Sequence, residues 1–302
     1  MKRKAARKAA KMGSDKVEKL GNSLIQYGPH NSRIYAMKVY PEDLSGLLPK
    51  MDSMAREMGF GKVFAKVAKS CLASFLAGGY EQEARIPNFY RGEEDAFFLG
   101  KYITPERKYC QNEQELQEIL TLAKKKGQKS REDESKRELG TSFRLELLDK
   151  SKAKEITELY KRVFETYPFP IHDDSYIAST MDENFSYYGV FDDEAEGRLA
   201  AVSSAEMDQE GLNAEMTDFA TDPTYRGKGL ASHLLSKMEA DMAHRGYKTL
   251  FTIARAVSPG MNISFAKAGY HFAGRLRNNT NIGGSIESMN VWYKTIPSNH
   301  SS

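Results

Sequence analysis

The sequence predicts a mixed α/β chain: a central sheet with helices on both faces, preceded by a smaller α/β unit of related pattern. Three observations support this. From residue 142 onward, short runs rich in β-branched and aromatic residues alternate with stretches of helical apolar spacing. The segment "KKKGQKSREDESKRELG" (124–140) is charged and nearly free of apolar residues, so it cannot bury enough surface to offset its ordering entropy. Two stretches of the first half parallel stretches of the second.

In the second half, "SFRLELL" (142–148) reads as a strand. "SKAKEITELYKRVFETY" (151–167) opens on a serine cap and sets Ile156, Leu159, Tyr160, Val163 and Phe164 on one helical face. "DDSYIASTM" reads as a short helix, and "FSYYGVF", "RLAAVSSAEMD" and "LNAEMTDFAT" as strands. Leu230, Leu234, Leu235, Met238 and Met242 then form an amphipathic stripe ending near Gly246. "YKTLFTIA" is a strand, "GMNISFAKAGY" a short helix, and "YHFAGRLR" and "SIESMNVWYK" the last strands.

In the first half, "MAREMGFGKVFAKV" (54–67) parallels "MAHRGYKTLFTIA" (242–254), and "FLAGGYEQEARIPNF" (75–89) parallels "FAKAGYHFAGRLRNN" (265–279). "IYAMKVY" and "DAFFLGKYI" add strands. The expected organisation is a basic tail (1–16), a first unit (17–123), a charged linker or exposed helix extension (124–140), a second domain (141–296) and a short tail (297–302).

Composition narrows the function. A net charge of +3 makes nucleic acid an improbable partner, and no apolar run reaches the roughly 18 residues that span a bilayer. The basic start lacks the apolar stretch of a signal peptide. Two cysteines, Cys71 and Cys110, give neither a disulfide framework nor metal spacing, so a reducing cytoplasm and no metal are expected.

The most informative stretch is "TDPTYRGKGLASHLL" (221–235), where Arg226, Gly227, Lys228 and Gly229 precede a helix. A helix N-terminus offers unpaired amides and partial positive charge, a ready anion site, and glycine lets backbone approach the anion closely. The loop has neither the Gly-Lys-Ser/Thr ending of a Walker loop nor the third glycine of a dinucleotide fingerprint. Arg226-Gly227-Lys228-Gly229-Leu230-Ala231, lying between a strand and a helix, resembles the acetyl-CoA loop of the GNAT acetyltransferases. "SPGMNISFAKAGY" followed by "NNTNIGGSIESMNVWYK" resembles more closely the β-lysine N-acetyltransferases, over nearly the whole chain beyond its basic start.

The resemblance implies a GNAT-type sheet, preceded by a partial GNAT-like unit without its own cofactor loop. It implies acetyl transfer from acetyl-CoA to the ε-amine of β-lysine, giving Nε-acetyl-β-lysine, a compatible solute. Backbone amides of Arg226 to Ala231 would hold the pyrophosphate, and Thr221 would pair with pantetheine. The Phe219 N–H would face the developing oxyanion. An amine of pKa about 10.4 must lose a proton before attack. Glu215 is the candidate base, sharing strand parity with Phe219, while Asp218 should point the opposite way. The alternative is that Glu215 binds the substrate ammonium or faces solvent.

One departure stands out: the tyrosine that protonates the leaving thiolate in many GNAT members is Phe265 here. Either the thiolate leaves unassisted or another hydroxyl serves, with Ser264 and Tyr293 the candidates. Ser258 occupies the usual cofactor-asparagine position, and Asn262 is its candidate replacement. For a small zwitterion with an extra ammonium, Asn278, Asn279, Asn281 and Glu287 are candidate contacts, with Asp173 in a lid-like region and Arg255 or Arg275 facing the carboxylate. The expected partner is a small-molecule amine, and a homodimer is compatible with the first unit packing on its neighbour domain or on a second subunit. Competing readings are acetylation of another diamine, a polyamine or a protein amine, and a non-catalytic acyl-CoA-binding regulator.

Overall fold

A computed structural model describes residues 15–130 and 139–297. Most of the basic tail, the stretch 131–138 and the last residues from 298 lie outside the described residues. The first half runs β1 (Lys16–Leu20), β2 (Ser23–Gly28), β3 (Arg33–Lys38), α1 (Leu44–Glu57), β4 (Lys62–Ala68), α2 (Lys69–Ala77), β5 (Glu81–Tyr90), β6 (Glu94–Tyr102), α3 (Pro105–Lys108) and α4 (Glu113–Ser130). The second runs β7 (Phe143–Leu148), α5 (Ala153–Val163), α6 (Asp174–Glu183), β8 (Phe185–Asp192), β9 (Arg198–Asp208), β10 (Asn213–Thr221), α7 (Leu230–His244), β11 (Thr249–Arg255), α8 (Pro259–Lys267), β12 (His271–Ile282) and β13 (Ser285–Thr295).

All strands join one 13-stranded sheet of order β1-β2-β3-β4-β6-β5-β12-β13-β11-β10-β9-β8-β7. Outward from the β5–β12 junction the order reads alike on both sides, with β7 an extra strand at the end of the second half. β3 and β4 are parallel, as are β10 and β11, and every other neighbouring pair is antiparallel. The halves are thus related by a pseudo-two-fold axis between β5 and β12. The two sequence-parallel stretches adopt matching geometry. Tyr80 N–H donates to Phe75 O at 3.1 Å and Tyr270 N–H to Phe265 O at 3.0 Å. Both Phe/Tyr pairs meet edge to face, at 4.8 and 5.0 Å between centroids.

Helices cover both faces. Leu230, Leu234, Leu235, Met238 and Met242 of α7 pack with Phe265 and with Leu120 and Ala123 of α4. On the other face, Ile156, Leu159 and Tyr160 of α5 meet Tyr187, Phe191 and Val202. At the seam, Phe64, Ala84, Ile86 and Phe98 from the first half share a core with Phe251, Leu276 and Val291 from the second.

Four stretches bear on the expected elements. Of the two readings of 124–140, linker or exposed helix extension, the described part is helical, because α4 continues through Ser130, anchored by its buried Leu116, Leu120 and Ala123. The hairpin of β1 and β2 carries no strand signal in the sequence, since β1 is an edge strand with almost every residue exposed and no apolar alternation. The strand expected over "YHFAGRLR" is longer: β12 continues through the polar run to Ile282, past a register shift between Leu276 and Thr280. Helix α5 stops at Val163, where Phe164 turns extended and directs the following segment across the sheet.

Gly274 makes the seam possible. Its backbone sits at φ +153°, opposite Ala84, and a Cβ there would lie 2.2 Å from Glu83 O and 2.6 Å from Ala84 Cα. Gly274→Ala should therefore destabilise the fold by about 1–3 kcal/mol, because the obstructing atoms are backbone and cannot swing aside. Urea unfolding checks this; an unchanged midpoint would count against the tight seam.

Candidate active site

The site begins where two strands part. β10 pairs with β11 only from Asn213 to Glu215, opposite Thr249 to Phe251. Beyond Glu215, β10 stays with β9 while β11 continues with β13, so the β11-facing edge of β10 opens. Its register also shifts between Thr217 and Ala220, with Asp218 in a left-handed conformation at φ +57°. That bulge overturns the expected parity. Asp218 lines the same cleft as Glu215 and Phe219 instead of facing away.

The cleft has a volume of about 920 Å³ and is walled by both halves of the sheet. Arg33, Tyr35, Phe64 and Lys66 come from the first half; Tyr167, Glu206, Glu215, Asp218 and Phe251 come from the second. Glu206 and Glu215 are directly opposed across the β9–β10 ladder. Like charges so placed repel, and burial penalises each further. Burial, then Glu206, pushes the Glu215 carboxyl up to about 8, while Lys66 pulls it back. Burial also raises Glu206. Asp218 is raised by burial although it accepts from Ser204 Oγ at 2.6 Å, from Thr217 Oγ1 at 3.3 Å and from the Tyr167 hydroxyl. The result is an acidic wall that favours either a bound proton or a bound cation.

The loop lies past the end of β10. Asp222, 2 % exposed, organises it. One carboxylate oxygen accepts from Thr224 N and Oγ1 at 3.1 and 2.7 Å, and the other from Arg198 at 2.8 Å and Arg162 at 3.2 Å. Gly227 and Gly229 take φ of +82° and +78°, and the amides of Gly227, Lys228 and Gly229 have no partner among the described residues. Leu230 plugs the core and starts the 15-residue α7, while Ala231 is half-buried on its first turn. Arg226 is exposed, whereas Lys228 lies 5.3 and 5.4 Å from the ring centroids of Phe143 and Tyr225. Thr221 pairs with Ala201 on β9, leaving its other edge open.

Several candidates are committed elsewhere. Asn262 is fully buried, donating to Arg255 O and Ser258 O and accepting from Asn290 and Trp292, so it carries no spare arm for a cofactor. Ser258 caps α8. Asp173 is an exposed helix cap bonded to Ser175 and does not line the cleft, although Ile171 and Tyr176 beside it do. Glu287 forms a bidentate pair with Arg255 at 2.8 and 2.6 Å; Arg255 lines the cleft with its charge already paired, and Glu287 does not line it. Arg275 is held by Asn290, Glu113 and Leu116 O. Asn278 donates to carbonyls around α3, and Asn281 bonds to Asn31 and His30. Of that polar run only Asn279 and Thr280 line the cleft. Ser264 donates back to Gly260 O, the Tyr293 ring lies tilted against His271, and neither residue lines the cleft. Phe265 is buried between Phe219 and Tyr270. Sequence reasoning missed Arg33, Lys66, Tyr167 and Glu206, which reach the site through strand pairing and a bulge that short-range patterning does not encode.

The profile described as Acetyltransferase (GNAT) family matches residues 153–270. The chain is 38% identical over 280 residues to a beta-lysine N(6)-acetyltransferase of Methanococcus maripaludis, covering 93% of this chain and 98% of that protein. It is 33% identical over 221 residues to the Methanosarcina mazei protein of the same name, covering 73% and 78%. Among solved structures, the ribosomal-protein-S18-alanine N-acetyltransferase of Escherichia coli covers 53% of this chain and 97% of its own, at 19% identity and a TM-score of 0.46.

Two outcomes are expected. Gly229→Val forces a β-branched residue into the left-handed region, at a cost of about 1–3 kcal/mol, and should weaken acetyl-CoA binding in a folded protein; calorimetry giving unchanged affinity would sink the loop assignment. Glu215 titrates near 8 when folded against 4.5 as its ordinary value, so between those values the folded chain holds the extra proton and stability falls as pH rises. Glu215→Gln should remove that fall. Its melting temperature relative to the parent should climb from pH 5 to pH 8, and a constant difference would contradict the raised carboxyl.

Proposed function

Because the chain belongs to the GNAT acetyltransferase family and is an acyltransferase, we propose that it transfers acetyl from acetyl-CoA to the ε-amine of β-lysine, yielding the compatible solute Nε-acetyl-β-lysine. The observation that carries this reading is the acidic wall of Glu206, Glu215 and Asp218 beside the open edge of β10. A cationic amine is drawn to that wall, and the splayed edge leaves room for an extended thioester.

The amine arrives as ammonium. Giving its proton to an ordinary glutamate is uphill by about six powers of ten. A carboxylate pushed up to about 8 reduces that to between two and three. The ionised form of Glu215, whose share grows as pH rises toward 8 and which a bound ammonium favours, accepts the proton; the freed lone pair attacks the thioester carbonyl, and the Phe219 N–H donates to the oxyanion as the tetrahedral centre forms. Collapse expels the coenzyme A thiolate, a better leaving group than an alkoxide or amide anion, and the remaining excess proton on the acetylated nitrogen passes to that thiolate or to solvent, leaving the neutral amide and free thiol. The amides of Gly227 to Ala231 hold the pyrophosphate, and the open edge of Thr221 accompanies the pantetheine arm.

With β-lysine and acetyl-CoA, Glu215→Gln should lower turnover at neutral pH by about two to four orders of magnitude, with the loss shrinking as pH approaches 10. Glu215 acting only as an ammonium contact would raise KM and preserve saturated turnover. Near-parental kcat at pH 7 removes Glu215 from proton transfer.

A further inference from the structure

The acidic wall accounts for one end of the cleft. At the other end, on β3, the Arg33 guanidinium is 4 % exposed and lines the cavity. One of its nitrogens donates to Asn279 O at 2.7 Å and Thr280 Oγ1 at 3.3 Å, and no carboxylate lies within ion-pair distance of it among the described residues. The nearby Glu83 is taken by Lys62 at 2.7 Å, with the Tyr102 hydroxyl at 2.6 Å and the Arg277 amide at 2.7 Å. Arg107, also buried, donates only to the carbonyls of Asn31 and Ser32. This corner thus carries more buried positive charge than it neutralises. Burial holds the Arg33 guanidinium down at about 10 although the charges of Asp15 and Glu83 act to raise it, and Asp15 is itself bonded to His30 N and Asn31.

Beside Arg33, Asn279 is 1 % exposed and its side-chain Oδ1 is buried with no hydrogen-bond partner, although the residue lines the cavity. An orphaned acceptor costs about 1–3 kcal/mol unless something donates to it. A guanidinium lacking an anion next to a carbonyl lacking a donor is complementary to a carboxylate with a neighbouring ammonium. Tyr35 stands between the two ends. It lies two residues from Arg33 on the same face of β3, its ring centroid is 5.3 Å from the guanidinium, and the charges of Glu215 and Glu206 also act on it.

We propose that Arg33 and Asn279 form an amino-acid head subsite: Arg33 pairs with the substrate carboxylate and Asn279 Oδ1 accepts from the adjacent β-ammonium. Held there, the substrate extends past Tyr35 and presents only its far amine to Glu215. Regioselectivity for the ε-amine then comes from the first half of the chain, which carries no cofactor loop. This rests on the β-lysine reading above and deepens it.

Three substrates separate the parts: β-lysine, 1,4-diaminopentane, which lacks the carboxylate, and 6-aminohexanoate, which lacks the β-ammonium. In the parent enzyme kcat/KM should favour β-lysine over 1,4-diaminopentane by about 100-fold or more. Arg33→Gln should collapse that ratio about 100-fold, and Asn279→Leu should collapse the β-lysine to 6-aminohexanoate ratio about 10-fold. Equal losses on all substrates, or retained ratios, overturn the subsite. Should Arg33→Gln fail to fold, the parent decides: a β-lysine to 1,4-diaminopentane ratio below about 3 overturns it. A parent enzyme that acetylates diamines but not β-lysine defeats the proposed substrate itself, whereas β-lysine turnover with ratios insensitive to Arg33 defeats only the subsite.

Discussion

The contact between β5 and β12 is narrow, with Gly274 set opposite Ala84, and the rest of the molecule is built around it. It turns two half-sheets into one, buries Phe64, Phe98 and Phe251 in a shared core, and sets the walls of the cleft at a fixed distance. The Lys62–Glu83 pair sits at this junction with both side chains essentially inaccessible, and Lys62 Nζ also donates to Arg277 O at 2.8 Å across the seam. Burying an ion pair costs desolvation that the attraction repays only when further hydrogen bonds complete it. Here Tyr102 and the Arg277 amide supply them, so the pair contributes alignment more than net stability.

A second constraint follows from the first. A sheet this wide would leave no room for ligands if every ladder were continuous. The opening comes from β10 parting from β11 after Glu215 and bulging at Asp218. The same local break performs two tasks: it frees a strand edge and turns a carboxylate into the cleft. That carboxylate is held by Tyr167, which enters because α5 stops at Val163 and the chain crosses the sheet.

What the sequence made legible is what depends on neighbours along the chain. The strand–loop–helix around Arg226 to Ala231, the stripe on α7 and the matched Gly-Tyr corners all rest on short-range pattern. What it concealed depends on pairing between distant strands. Asp218 was assigned to the wrong face because parity fails across a bulge. Arg255 and Glu287 each looked available, and only the β11–β13 register shows that they satisfy each other. Asn278, Asn279 and Asn281 are indistinguishable as letters, yet one lines the cleft while the other two bind backbone from the first half. Lys66 and Glu206 belong to different halves, yet both line the one cleft.

The pseudo-two-fold arrangement gives the chain the form of a dimer whose partners share one backbone. In a true dimer, a wall donated by the second subunit is present only above the dissociation constant, and dilution empties the site. Here the donated wall is tethered, so its effective concentration is set by the connecting segment and not by how much protein the solution contains. Assembly of the cleft is thereby moved from mass action to folding, and each half can accept substitutions on its own face of the cleft without having to remain complementary to a copy of itself.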